Sequence, residues 1–183
     1  MKYGRFLLPM LALCLTAYSV QAALTRPKAE AVKLKPGCEL SNGVSSIDEL
    51  VRDFLAALEA KDKDAINRLL ITKAEYLDFV LPGAGAPGDP PRHYTDQLND
   101  YAWGTMYGKT IYFRANLIDQ FGGHHYELKG YSFRKGTHDY AWYRAHQRIK
   151  IDLVAENGND AELYTGSIIE VNGRFKFISL VND

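Results

Sequence analysis

Thirteen aromatic residues crowd into residues 94–143, and four of the five histidines lie between residues 124 and 146. Tyrosine offers an apolar body with a polar tip, which suits a pocket for a ring-bearing or amphipathic ligand. Tyr101, Trp103, Tyr112, Tyr126 and Trp142, with Arg144 and His146, are the candidate ligand contacts. The same aromatics would equally serve to build a core and a dimer face. Acid–base chemistry of the isomerase or dehydratase kind needs an Asp or His opposite a Tyr in a dry cavity. Asp119 or His146 is the candidate base, and Tyr112 or Tyr126 the candidate hydrogen-bond donor.

Two further groupings bear on chemistry. In His124-His125-Tyr126-Glu127, a strand would put His125 and Glu127 on one face, where Asp119 or His138 could complete a metal site. The spacing matches no recognised metal motif and follows a Gly122-Gly123 turn, so no metal is expected. On a strand through residues 143–151, Arg144, His146, Arg148 and Lys150 project to one side and Tyr143, Ala145, Ile149 and Ile151 to the other. The charged side reads as a solvated outer face or as an anion-facing wall. In the second case crowded cations favour a neutral His146 able to act as a base. The chain has no G-x-S-x-G, phosphate loop, dinucleotide fingerprint or zinc-type cysteine set, so no cofactor is implied.

Helices come first among the elements that must position these residues. Ser46-Ile47-Asp48-Glu49 reads as a capping box, with the serine hydroxyl accepting from the third backbone N–H and Glu49 reaching back. Ile47, Leu50, Val51, Phe54, Leu55 and Leu58 then recur at helical spacing. A short second helix carries Ile66, Leu69 and Leu70, and Thr72-Lys73-Ala74-Glu75 opens a third piece. Residues 81–91 hold four prolines and three glycines and cannot be regular. Residues 94–106 are helix-compatible. After Gly108 the period changes to two, predicting strands over 110–118, 124–134, 141–155, 161–171 and 174–181. Asn157-Gly158 and Asn172-Gly173 are hairpin dipeptides. Across the second, Val171 should pair with Arg174, placing Ile168 with Phe177 and Glu170 with Phe175. This order predicts an α+β fold, with N-terminal helices packed on one face of a strongly bent antiparallel sheet.

Residues 1–22 read as a bacterial signal peptide: Lys2 and Arg5, an apolar run too short for a comfortable permanent span, and Val20-Gln21-Ala22 before the expected cut at Ala23. The mature protein is then periplasmic or secreted, with a flexible arm at 23–45 and one domain at 46–183. Losing Lys2 and Arg5 leaves it slightly acidic, a poor match for non-specific nucleic-acid binding. Cys14 leaves with the leader, and Cys38 has no internal disulfide partner.

The run LVRDFLAALEAKDKDAI at 50–66 and the closing VNGRFKFI at 171–178 resemble the nuclear transport factor 2-like superfamily, at its first two helices and its last hairpin. The resemblance implies a cystatin-like cone with a pocket whose mouth and floor are lined by the aromatic middle region, as in a secreted, uncharacterised member. The fold alone assigns no activity. The leading expectation is a non-catalytic envelope domain that binds a small molecule or a protein partner. An acid–base enzyme of the isomerase, dehydratase or cyclase kind on the same pocket and a structural or assembly partner are the alternatives. Ile169, Val171, Ile178 and Leu180 would leave a second sheet face apolar, which argues for a homodimer through that face. A fold-back of residues 23–45 over the same patch is the competing cover.

Overall fold

A computed structural model describes residues 39–182. The signal-peptide reading, most of the arm and Cys38 lie outside the described residues. The fold is α+β, as expected. Helices α1 (Ile47–Glu59), α2 (Lys63–Arg68) and α3 (Lys73–Glu75) come first, α3 running on into a π-helical turn at Tyr76–Val80. The long α4 (Asp96–Phe121) follows, then strands β1 (Tyr126–Phe133), β2 (Thr137–Asp139), β3 (Arg144–His146), β4 (Ile149–Ala155), β5 (Asp160–Tyr164), β6 (Ile168–Val171) and β7 (Arg174–Phe177).

Side-chain caps fix the helix starts. The Ser46 hydroxyl accepts from the Glu49 N–H at 3.0 Å, but the Glu49 carboxylate passes over Ser46 and accepts from Ser45 N–H and Oγ. The reciprocal half of the expected box is therefore displaced by one residue. At Thr72 the box is complete: Thr72 Oγ1 accepts from Glu75 N–H, and Glu75 Oε2 from Thr72 N–H. Asp62 caps α2 through the N–H groups of Asp64 and Ala65. Leu50, Val51, Phe54, Leu55 and Leu58 bury one face of α1 against Ile149, Ile151, Leu153, Leu163, Ile168 and Phe177 of the strands.

The strand predicted over 110–118 is instead the second half of α4. Thr110, Ile111, Tyr112 and Phe113 have strand-like composition, but burial recurs at helical spacing through Thr110, Leu117 and Ile118. Tertiary contact along that stripe overrides local β-propensity.

The strands form two antiparallel sheets, ordered β1-β4-β5 and β2-β3-β6-β7. Each of the two long predicted strands splits where it crosses from one sheet to the other. Arg148 adopts φ 57° between β3 and β4, and Thr165-Gly166-Ser167 separates β5 from β6. These breaks face each other: Ile149 N–H donates to Gly166 O at 3.0 Å, and Thr165 N–H to Ile149 O at 3.1 Å. Bends of this kind are how strands change sheets. At the Asn172-Gly173 turn both residues take positive φ, and the expected pairs of Val171 with Arg174, Glu170 with Phe175 and Ile168 with Phe177 form. In the other hairpin only Gly158 has positive φ, within a wider turn closed by Ala155 and Asn159.

The second face of the four-stranded sheet is not uncovered. Ala145, Ile169 and Val171 pack in a second core with Leu40, Ile71, Phe79, Val80 and Tyr143. Leu180 is buried in the main core. The apolar patch that argued for a dimer through this face is closed by the chain itself, with Leu40 at the edge of the described residues contributing.

Candidate functional site

The candidate ligand contacts do not converge on one site. Tyr101 and Tyr112 stand on the outer side of α4, exposed, and Asp119 is exposed near its C-terminus. Trp103 stacks on Tyr107 with centroids 4.9 Å apart and meets Tyr76 at 5.6 Å. Tyr126 packs edge-on against Phe121 at 5.7 Å, and Trp142 lies against the second core. Three concavities framed by described residues occur elsewhere: beside Leu40 and Arg174, between α1 and α2, and along β1, β4 and β5. None of these three is lined by the candidate ligand contacts. Asp119 and His146 therefore do not face Tyr112 or Tyr126 in one of these cavities.

His125 turns away from metal chemistry. Its Nδ1 lies 2.8 Å from Glu59 Oε2, and that hydrogen bond raises its pKa above the usual imidazole value. Among the described residues no three His, Cys, Asp or Glu side chains, Glu127 included, gather as a metal site.

The charged face splits at Arg148. Its left-handed backbone resets the alternation, and Lys150 joins the three-stranded sheet beside Asp152 and Glu162. Arg144 and His146 remain together on β3, where the register builds a polar chain across three strands. Thr137 of β2 sits opposite His146, Asp139 opposite Arg144, and Glu170 of β6 opposite Arg144 on the other side. His146 Nδ1 lies 3.0 Å from Thr137 Oγ1 and its Nε2 3.1 Å from Glu170 Oε2. Arg144 Nε donates to Asp139 at 2.6 Å, and its guanidinium approaches Glu170 at 3.7 Å. Phe133 covers the imidazole at 5.0 Å between ring centroids.

No family model, curated protein or solved structure matches this chain. The chemistry of the site rests on its own geometry.

The hydrogen bond from His146 holds the Glu170 carboxyl below the usual carboxylate range, against an opposing desolvation, with Arg144 adding to the effect. An ionised carboxylate only accepts, so Nε2 donates to Glu170; in the neutral tautomer with that proton, Nδ1 accepts from the Thr137 hydroxyl. A hydroxyl, an imidazole and a carboxylate in series can polarise an O–H bond. The same contacts also knit β2, β3 and β6 by opposed polar pairs. Sequence reading found Arg144 and His146 but missed Thr137, Asp139 and Glu170, whose roles depend on strand register rather than on local spacing.

A second buried polar group was also missed. Lys176 interrupts Phe175 and Phe177, and its ammonium reaches Glu75 at 3.0 Å and the Ser41 carbonyl at 2.9 Å. A lysine within an alternating apolar strand is the signal that could have found it.

Proposed function

We propose that the protein is an exported bacterial domain of the periplasm or exterior that works without catalysis, by protein–protein contact through the outer face of α4. The observation that carries this reading is the exposure of three large apolar side chains on that helix: Tyr101 at 71%, Tyr112 at 64% and Leu98 at 47%. Tyr101 and Tyr112 lie on one face, with Leu98 at its edge, opposite the buried stripe of Thr110 and Leu117. Exposed tyrosines on a rigid helix are efficient contact residues, with large area and few torsions to freeze. Scattering of the candidate ligand contacts favours a partner over an enclosed small molecule. The leader-like residues 1–22 support export, and among the described residues no helix is long and apolar enough to cross a membrane. The order of elements and the closing hairpin support kinship with the nuclear transport factor 2-like superfamily. The test is a photo-cross-linking side chain at position 101 or 112 in producing cells, with position 156 as control. Protein adducts at 101 and 112 and none at 156 are expected; no adducts at either helical position would overturn the reading.

The alternative is acid–base chemistry at His146, supported by its bonds to Thr137 and Glu170. Turnover of an activated ester, lost in His146→Gln and Thr137→Val with the fold intact, would favour it.

A further inference from the structure

Resting on the reading of α4 as a contact surface, we infer that the partner it fits is a second copy of the same chain, laid antiparallel across α4 about a two-fold axis between Met106 and Tyr107.

On the outer face of α4, Tyr101 and Tyr112 flank that point, with Thr105 and Gly108 between them. Tyr101 and Tyr112 are equidistant from it, as are Thr105 and Gly108, and Leu98 and Ala115. All six are exposed. A two-fold contact uses one patch on both subunits, so it must be self-complementary. In this register Tyr101 meets the partner's Tyr112 at each end, and Thr105 faces the partner's Gly108 at the centre.

The glycines supply the second argument. Gly104 and Gly108 sit inside a helix, where glycine is costly. A Cβ built at either position meets nothing within 4 Å, so no close approach among the described residues explains them. A backbone arriving from outside would, because two glycines one turn apart clear the space between flanking tyrosines for a helix to come near. Charge agrees with the same register. It sets exposed Asp119 near the segment containing exposed Arg92 and His93 that leads into the partner's α4. A single helix pair buries less than the roughly 800 Å² per partner of standard interfaces, so the association is weak.

Sedimentation equilibrium of the mature protein from about 1 to about 200 µM tests this. The expected result is a monomer–dimer equilibrium in that range. Gly108→Leu should abolish the dimer while leaving the melting temperature unchanged or raised, since the position is open in the monomer. Tyr101→Ser with Tyr112→Ser should also give a monomer. A wild-type monomer throughout, a dimer that survives Gly108→Leu, or a Gly108→Leu variant that loses thermal stability would each overturn the inference. A wild-type monomer that still forms adducts with other proteins at positions 101 and 112 would defeat self-association alone. The absence of any adduct would defeat the contact surface as well.

Discussion

The ammonium of Lys176 lies 3.0 Å from the Glu75 carboxylate, with side chains only 2% and 6% exposed. The pair binds β7 to α3, and Ser41 is held to it by its own N–H, hydroxyl and carbonyl. One buried ion pair thus anchors the first described residues, the third helix and the last strand. Removing one partner strands the other charge. Lys176→Met should cost about 3–5 kcal/mol in urea unfolding, while Lys176→Met with Glu75→Leu should recover much of that loss. A single variant within 1 kcal/mol of wild type would show that the pair contributes little.

Acid should weaken the fold through two carboxylates. Burial pushes the Glu75 carboxyl up, but hydrogen bonds from Thr72, Lys176 and Ser41 outweigh it and leave it below the ordinary value. Glu170 is lowered chiefly by His146. A carboxyl whose folded pKa is depressed contributes stability above its unfolded pKa and loses it as pH falls through the folded one. Unfolding free energy should therefore fall below the ordinary carboxylate range, with a shallower fall in Glu170→Gln. Identical acid limbs in wild type and variant would contradict this assignment.

His146→Ala should lower stability by about 2–3 kcal/mol, because it removes a buried ring against Phe133 and leaves Thr137 and Glu170 without a shared partner. A melting temperature equal to wild type would argue that the imidazole is retained for chemistry rather than for holding the strands.

At the corner between the sheets, a Cβ on Gly166 would come within 2.1 Å of the Ser179 carbonyl oxygen. Gly166→Ala should therefore destabilise by about 2–4 kcal/mol, in the range of overpacked sites. Gly158→Ala leaves an open position but retains a φ of 80°, so it should cost only the smaller penalty for left-handed backbone, about 1–2 kcal/mol. Equal losses at the two positions in chemical denaturation would contradict the close approach.

What could be read from the sequence was local. The cap at Ser46, the apolar face of α1, the complete box at Thr72 and the register of the Asn172-Gly173 hairpin depend on residues within a few positions of one another. What could not be read depended on distant partners. Thr110 to Phe113 look like a strand until the stripe through Leu117 and Ile118 meets the core. The period-two run through residues 141–155 hides the turn at Arg148, whose positive φ no local rule demands of arginine. His146 was legible as a residue with chemical capacity, but Glu170 and Thr137 reach it only through pairing of β3 with β6 and β2.

The most direct measurement is a photo-cross-linking scan along α4 in producing cells, one position at a time from Asp96 to Phe121. A contact surface on the outer face predicts adducts with helical period, strongest at Tyr101, Thr105, Gly108 and Tyr112 and absent at Thr110 and Leu117. Adduct yield without that period, or confined to the inward positions, would contradict the account.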